Sequence, residues 1–349
     1  MENEQVILRD VMASSESLLG SLPHDTLRRV ATLVVGNVMQ QFTRSQFGEH
    51  SLVEVVGSLF EGHTRAEVIE MARQIALTEL KNFLCLECTW WKAGLHNVAQ
   101  LVQCRNAERL HELHRQRQPA ILGFWHLGPR FAVGPALERA GVPALLLAKI
   151  PASLRDSEAP QSNSENGVEY FQLADSPASG AVALKRAVEQ LQKGGLVVVA
   201  IDGLQGEKKV EVPFLNRRLS VGRGPAVLSR LTGAPIIPAV CSWAAADWKI
   251  DFQVYDPLPL PQLAQQANLV DEALAGRSAK PAGPSQPARP TPAESNAFDE
   301  AVMKTAIGWF DTYVRSNPGQ LRLHRLRALL AAPLLKTKGA PPRPAGPST

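Results

Sequence analysis

The sequence predicts an α/β fold, a mostly parallel sheet flanked by helices. Three apolar runs, residues 119–125, 196–201 and 234–241, have the length expected of buried strands. The second of them, LVVVAI, is rich in β-branched residues, as central parallel strands are. Helical patterns separate the runs, and this alternation of strands with helices favours a parallel sheet.

The composition of the 349 residues is that of an ordinary globular protein. Hydrophobic residues make up 45% and charged residues 20%, and the net charge of +4 indicates neither a nucleic-acid partner nor a membrane. The N-terminal sequence MENEQVILRD is not a secretory signal, so we expect the four cysteines to be reduced thiols. These features predict a cytoplasmic protein, at most peripheral to a membrane.

Residues 1–94 form a predicted helical region, and the helical pattern continues to residue 118. Thr64 is expected to cap a long amphipathic helix over residues 65–91. The pair Cys85 and Cys88 falls within this helix. A CxxC pair without a second ligand pair is interpreted as structural.

The predicted core, residues 95–256, contains the first candidate site. Its strand 119–125 stops at the sequence His126-Leu127-Gly128-Pro129, a helical pattern covers 131–140, and a second strand follows over 143–148. His126 therefore lies at the carboxyl edge of a strand, where open α/β sheets bind ligands. The alternative is a buried or loop histidine that only makes hydrogen bonds.

The middle of the core repeats this pattern. A polar loop over 151–179 contains a short strand, 168–173, and a helix over 180–193 leads into the strand 196–201. That strand ends in Asp202 and Gly203, again at a carboxyl edge. A strand over 209–214, a helix over 225–231 and the strand 234–241 complete the core.

The C-terminal part has three predicted regions. Residues 257–296 are a Pro- and Ala-rich insert expected to be poorly ordered, residues 297–335 are helices that complete the core, and residues 336–349 are a disordered tail. The last helix interleaves basic residues with leucines. It either lies on an anionic membrane surface or docks on the core with a charged outer face.

Taken in order, these parts resemble the late lipid A (lauroyl/myristoyl) acyltransferases of the lysophospholipid acyltransferase superfamily. The quoted motifs are the strand and HLG junction at 121–128, Asp202-Gly203 with Gly206, Val212-Pro213-Phe214, Gly224 before a helix, Thr232-Gly233-Ala234-Pro235, and Asn317-Pro318, Gln320 and His324-Arg325 near the end. The resemblance covers roughly residues 95–327.

The resemblance implies a glycerolipid acyltransferase-like fold with a mixed, mostly parallel sheet. It also implies transfer of a fatty acyl group from a thioester of acyl carrier protein or coenzyme A to a hydroxyl, without a metal or a resident cofactor. In that family a histidine is the general base, and an acid five positions later in an H-x4-D/E motif orients it. By the resemblance, His126 is the general base here.

The sequence departs from the family pattern at the position of that acid. Phe131 stands five residues after His126, and a phenyl ring can neither accept a hydrogen bond from an imidazole N–H nor stabilise its cation. Asp202 and Glu207 are the candidate substitutes, and Glu138 is less favoured because it lies far along the following helix. Asp202 has a structural alternative, as a cap for the loop after its strand.

Further residues are predicted to bind substrate. Gly128, with the N–H groups of the following helix, is a candidate site for an oxyanion or a phosphate. Arg130 and Arg223 are candidates for the phosphopantetheine phosphate or an acidic partner, and Gly203 and Gly224 belong to the same turns. For both arginines the alternative is an ordinary surface charge.

The acyl chain is expected in an apolar groove beside the sheet, with Trp125, Phe131 and Phe214 as walls or as plain core. Two functions remain open from the sequence. One is an active acyltransferase, with a hydroxyl or an amine as acceptor. The other is a catalytically impaired homologue that binds acyl chains or a partner protein.

Overall fold

The computed structural model describes residues 50–83, 95–148, 167–173, 177–203, 208–244, 249–261 and 290–335. Within these residues seven strands form one sheet, and β6 and β7 form a separate antiparallel hairpin. The strands are β1 (Val102–Arg105), β2 (Ala120–Phe124), β3 (Ala144–Ala148), β4 (Val168–Gln172), β5 (Leu196–Ala200), β6 (Lys209–Phe214), β7 (Arg217–Gly222), β8 (Ile236–Trp243) and β9 (Ile250–Val254).

The strand order of the sheet is β1-β9-β8-β2-β5-β3-β4. All neighbours pair in parallel except β8 and β9, which are antiparallel. The sheet is therefore mixed and mostly parallel, and the predicted α/β fold class is confirmed. Strand β2 lies between β5 and β8, so the strand that precedes His126 is central in the sheet.

Helices cover both faces of the sheet. They are α1 (Leu52–Leu59), α2 (Arg65–Phe83), α3 (Leu95–Leu101), α4 (Glu108–Arg115), α5 (Val133–Ala140), α6 (Pro177–Gln192), α7 (Gly224–Thr232), α8 (Pro292–Ser316) and α9 (Leu323–Ala331). Successive residues of β2 alternate between two apolar clusters, with Ile121 in one and Leu122 in the other. A sheet buried on both faces requires such continuous apolar strands.

Two boundaries differ from the predictions. Strand β1 interrupts the stretch predicted to be helical up to residue 118, because residues 102–105 pair with the distant β9. Helix α8 starts at Pro292, inside the predicted insert 257–296. There the Thr291 hydroxyl accepts a hydrogen bond from Glu294 N at 3.2 Å and the Glu294 carboxylate accepts one from Thr291 N at 2.7 Å. This capping box satisfies free N–H groups of the first turn.

The predicted N-terminal helices are present where the structure describes them. Thr64 and Glu67 form the corresponding capping contacts at the start of α2. Cys85, Cys88 and Glu207 lie outside the described residues, as do the tail 336–349 and most of the insert. The other predicted boundaries between regions stay predictions. Among the described residues, no helix is long and apolar enough to cross a membrane.

Candidate active site

The pairing of β2 with β5 brings His126 and Asp202 together. The two strands are parallel, and Phe124 at the end of β2 is in register with Ala200 at the end of β5. Both candidate residues lie two positions beyond these ends, so the register places them side by side at the carboxyl edge. The residues come from neighbouring strands although 76 positions separate them in the sequence.

The two side chains are in direct contact. His126 Nδ1 lies 2.6 Å from Asp202 Oδ1, and the backbone N–H of His126 lies 3.3–3.4 Å from the same carboxylate. The Asp202 side chain is only 1% exposed, whereas that of His126 is 21% exposed. One member of the pair is thus fixed in the interior, and the other can be reached from solvent.

Arg325 of α9 is the third member of this group. Its Nη2 lies 2.6 Å from Asp202 Oδ2, 3.2 Å from the Asp202 carbonyl oxygen and 2.8 Å from His126 Nδ1. Nη2 carries two hydrogens, and these donate to Oδ2 and to the carbonyl oxygen of Asp202, while a guanidinium cannot accept a hydrogen bond. We therefore assign no hydrogen bond to the contact between Nη2 and His126 Nδ1. Nδ1 carries a proton and donates a hydrogen bond to Asp202 Oδ1. This tautomer leaves the lone pair on Nε2.

The electrostatics of the pair favour an ionised carboxylate and a neutral imidazole. Burial alone would raise the pKa of Asp202, but the neighbouring His126 and Arg325 outweigh it and hold that pKa below its ordinary value. Burial lowers the pKa of His126 below its ordinary 6.5, and the positive charges of Arg130 and Arg325 act in the same direction against the attraction of Asp202. A neutral imidazole at pH 7 is the form that can accept a proton.

The loop after His126 is held by the segment that precedes α9. The Gly128 N–H donates to the Gln320 carbonyl at 2.8 Å, and Gly128 has φ +41°. A Cβ at Gly128 would lie 2.6 Å from Gln320 Oε1 and 2.7 Å from the Cys241 carbonyl oxygen, so only glycine fits. The structure thus shows a packing role for Gly128. Its N–H is committed to Gln320, which corrects its predicted use for an oxyanion or a phosphate.

A second contact ties this loop to the N-terminal helices. Arg322 forms a two-pronged ion pair with Glu79 of α2, at 2.5 and 2.9 Å, and also donates to the Gly128 carbonyl at 3.4 Å. Planar guanidinium–carboxylate pairs of this kind are geometrically specific. The backbone beside the histidine is therefore held by two elements that are distant in the sequence.

Arg130 and His324 add positive charge beside the pair. Loss of hydration and the nearby Arg322 lower the pKa of Arg130 to about 10, which leaves the guanidinium protonated at neutral pH. Loss of hydration and the same arginines lower the pKa of His324, whose side chain stays exposed. Arg130 thus lies where its charge acts on the site.

Arg223 lies in a different cluster. It donates to Asn296 Oδ1 at 2.6 Å and lies 3.5 Å from Asp299 Oδ2, and Arg230 contacts the same aspartate at 2.8 Å. These contacts join α7 to α8. The predicted binding residue Arg223 is thus part of an ion-pair cluster between two helices.

Of the predicted glycines, Gly203 accepts a hydrogen bond from Gly222 N at 2.8 Å through its carbonyl. Gly224 begins α7, and a Cβ there would meet open space. The substrate-binding roles of these two residues stay predictions.

An apolar cleft reaches the site from the side of α9. Trp125, Phe214, Leu219, Leu321 and Leu329 line it, and Asp202 and Arg325 form its polar end. Its empty volume is about 380 Å³, which includes space open to solvent at its mouth.

Two of the three aromatic residues predicted as groove walls lie in this cleft. Trp125 stacks on Phe214 with ring centres 4.7 Å apart, whereas Phe131 packs against the apolar cluster on the other face of the sheet. Glu138 is also remote from the pair, since its carboxylate lies 3.4 Å from the Tyr170 hydroxyl. Phe131 therefore does not line this cleft, and Glu138 as a substitute acid is wrong.

Arg325 is the residue of this site that sequence reasoning missed. It was noted only within the closing His-Arg motif and as one of the basic residues of the last helix. Its contact with His126 spans 199 positions. Only that motif could have pointed to Arg325 as a site residue. A basic residue among leucines does not, because it is equally typical of a helix face that is exposed to solvent.

The fold and these contacts define an α/β protein with a histidine–aspartate–arginine group at the carboxyl edge of its sheet. Residues 161–277 match the family model described as bacterial lipid A biosynthesis acyltransferase. The match covers about a third of the chain and includes Asp202, but it includes neither His126 nor Arg325. Over this segment the predicted resemblance to acyltransferases is supported, and the lauroyl/myristoyl specificity stays a prediction.

Two further comparisons add little. No curated protein matches the chain. Among solved structures, the chain is similar to the 1-acyl-sn-glycerophosphate (LPA) acyltransferase PlsC from Thermotoga maritima, with 15% sequence identity and a TM-score of 0.28 over 74% of this chain and 100% of that chain. A TM-score this low supports no residue-by-residue comparison, so the fold is described from its own strand order.

Proposed function

We propose that this protein is an acyltransferase that moves a fatty acyl group from a thioester to a hydroxyl or amine acceptor. The observation that carries the proposal is the 2.6 Å contact between His126 Nδ1 and Asp202 Oδ1. It supplies the carboxylate that Phe131 cannot. The match of residues 161–277 to an acyltransferase family model supports the same reaction class.

In the proposed reaction, His126 is the general base. Its Nε2 takes the proton of the acceptor while the acceptor oxygen or nitrogen bonds to the thioester carbonyl carbon. The tetrahedral intermediate then collapses, the C–S bond breaks, and the imidazolium gives its proton to the departing thiolate. Asp202 fixes the tautomer and stabilises the imidazolium, the role of the aspartate in a Ser-His-Asp triad.

Arg325 is proposed to position Asp202. Its 2.6 Å ion pair holds the second carboxylate oxygen, so that the first faces the imidazole. The same charge opposes protonation of His126. The arginine therefore fixes the geometry of the pair and keeps the resting imidazole neutral.

The apolar cleft is proposed as the place of the acyl chain. Burial of each methylene on such a surface contributes about 0.8 kcal/mol. The donor is a thioester of acyl carrier protein or of coenzyme A, and the reaction needs no further cofactor. No nucleic-acid partner is expected.

Peripheral contact with an anionic membrane through the last helix stays a prediction. Arg322 and Arg325 turn inward to Glu79 and Asp202, whereas His324 and Arg327 are on its exposed side. The exposed basic surface of α9 is therefore smaller than the sequence indicates.

The experiment is thiol release from acyl carrier protein and coenzyme A thioesters of several chain lengths, with hydroxyl and amine acceptors. We expect His126→Ala to lower kcat by about 10²–10⁴-fold, the usual contribution of a general base. His111→Ala, an exposed histidine on α4, is the matched control and is expected to keep full activity. Unchanged turnover in His126→Ala would show that His126 is not the base.

A second outcome of this experiment would favour the other function. That outcome is saturable binding of acyl chains with no turnover of any donor. It would identify a catalytically impaired homologue, an acyl-chain or partner-protein binding module with an intact fold.

A further inference from the structure

The backbone of Gly128, two residues after His126, is held on both sides by one short segment near the C-terminus. Its N–H donates to the Gln320 carbonyl at 2.8 Å, and its carbonyl oxygen accepts a hydrogen bond from Arg322 Nη1 at 3.4 Å. Leu127, between the two residues, is 1% exposed and cannot move outward without exposing its side chain. A shift of Gly128 therefore also shifts the histidine.

Arg322 reaches Gly128 with a guanidinium that Glu79 of α2 orients. Nε and Nη2 of Arg322 donate to the two oxygens of the Glu79 carboxylate, at 2.5 and 2.9 Å. Two parallel bonds fix the rotation of a flat guanidinium, so the direction of its third nitrogen, Nη1, follows from them. The Arg322 side chain is 10% exposed and that of Glu79 is 20% exposed, so both partners are largely shielded from solvent.

Glu79 also offsets a repulsion between cations. Loss of hydration and the charge of Arg322 lower the pKa of Arg130, and the same two causes lower that of His324, so Arg322 lies close to both groups. Without the carboxylate, Arg322 would be a buried charge beside a second guanidinium, which is unfavourable. It would then turn towards solvent, and the Gly128 carbonyl would lose its donor.

The same segment also packs directly on α2. A Cβ on the buried Gly319 would lie 2.7 Å from Cβ of Gln74, so the backbone of the segment and the helix are in close contact. Gly319 precedes Gln320, whose carbonyl accepts from Gly128. Helix α2 therefore supports the loop after the histidine twice, once through this contact and once through the ion pair of Glu79.

A second ion pair of α2 has the same form but reaches no other element. Arg73 donates through Nε and Nη2 to the carboxylate of Glu70, at 2.8 and 2.7 Å. Both side chains are about half exposed, and both belong to α2. The two-pronged geometry by itself is therefore not a sign of function. What distinguishes Arg322 is its additional contact with the backbone beside His126.

We infer that Glu79 is a positioning residue of the active site. It orients Arg322, Arg322 holds the Gly128 carbonyl, and this loop holds the His126 ring against Asp202. The inference rests on the proposed function and deepens it, because helix α2 becomes part of the machinery for proton transfer. A base must lie within hydrogen-bond reach of the acceptor, and a displacement of about 1 Å can lower the rate about 10²-fold.

The first test compares Glu79→Gln with its matched control, Glu70→Gln. An amide cannot accept from both arms of the guanidinium, so Glu79→Gln is expected to lower kcat by about 10- to 10²-fold with little change in KM. Glu70→Gln breaks the same kind of pair on the same helix and is expected to keep full kcat.

Arg322→Lys is the second variant, in case Glu79→Gln does not fold. It keeps the charge but cannot form the two-pronged contact, so kcat is expected to fall as in Glu79→Gln. Either variant with lower stability but unchanged kcat per folded molecule would overturn the inference, since the ion pair would then be structural only.

NMR spectra of isotope-labelled histidine separate this inference from the proposed function. They report the tautomer of His126 and the hydrogen bond of its Nδ1 whether or not the protein turns over. Glu79→Gln is expected to alter the His126 signals, which are assigned by their loss in His126→Ala, and Glu70→Gln is expected to leave them unchanged. Unaltered signals in Glu79→Gln would overturn the inference. Altered signals in a protein that turns over no thioester would support the positioning by Glu79 and overturn the proposed function alone.

Discussion

Two buried aspartates of this protein, Asp202 and Asp299, are alike in burial but differ in their partners. Each side chain is 1% exposed and is paired with arginine. Asp299 contacts Arg223 and Arg230, two groups that stay charged at all relevant pH values. Asp202 shares its carboxylate between an arginine and a histidine.

This difference separates a structural ion pair from a candidate catalytic one. The Asp299 cluster joins two helices, and its aspartate is already paired with both arginines in the free protein. In the Asp202 group the histidine can change its charge near neutral pH, and its ring reaches solvent. Burial and a short ion-pair distance are common to both clusters, so neither property by itself identifies the site.

The largest expected effect is on catalysis by Asp202→Asn. An amide at this position no longer selects the productive tautomer of His126 or stabilises its cation. Loss of the orienting aspartate lowers the rate of serine proteases by about 10⁴-fold, and we expect a loss of similar size in kcat. The measurement is thiol release per folded molecule, with folding checked by circular dichroism.

Asp256→Asn is the control for that variant. Because Asp256 is 85% exposed and pairs with Arg109 at the surface, its activity is expected to change less than twofold. Activity in Asp202→Asn close to that of the unsubstituted protein would show that the aspartate is structural, like Asp299.

The next effect is on stability, in Asp299→Asn. This change removes a buried carboxylate from two partly buried guanidiniums, and breaking a buried pair costs about 3–5 kcal/mol. We expect the free energy of unfolding in urea to fall by that amount, while kcat per folded molecule is unchanged. A large loss of kcat here would mean that the two aspartates do not differ in role.

The smallest effect is a shift of the pH profile. Because the pKa of His126 is below 6.5, log(kcat/KM) is expected to be flat near neutral pH and to decrease with unit slope below that pKa. The charge of Arg130 lowers this pKa, so Arg130→Gln is expected to raise it. The acidic limb, the part of the profile where activity falls as the pH is lowered, then moves to higher pH. Arg223→Gln, in the Asp299 cluster, is the matched control and should leave the limb in place. A limb that stays fixed or moves to lower pH in Arg130→Gln would contradict the assignment of His126.

The sequence predicts the fold class and the position of His126 and Asp202 at carboxyl edges of strands. It cannot show that these two strands are neighbours in register, because strand order depends on packing between distant segments. For this reason Asp202, Glu207 and Glu138 remained alternatives until the pairing of Phe124 with Ala200 was known.

Other parts could not be predicted for similar reasons. The four residues of β1 adopt a strand only through pairing with β9, so no local pattern marks them. Arg325 reaches the site because the leucines around it are buried in the core, among them Leu326 at 0% exposure. The start of α8 had a local signal, Thr291 and Glu294, but it was hidden by the surrounding prolines.

The contact between Arg325 and His126 also has a consequence for the order in which the chain assembles. During synthesis the sheet strands that carry His126 and Asp202 emerge long before the arginine, which is 199 positions after the histidine. Chains are made at about 5–20 residues per second, so the buried aspartate waits several seconds for its cation. Contacts of such long separation also tend to form slowly. A ribosome-bound chain stalled before residue 320 would therefore contain the strands of the sheet but lack the finished site.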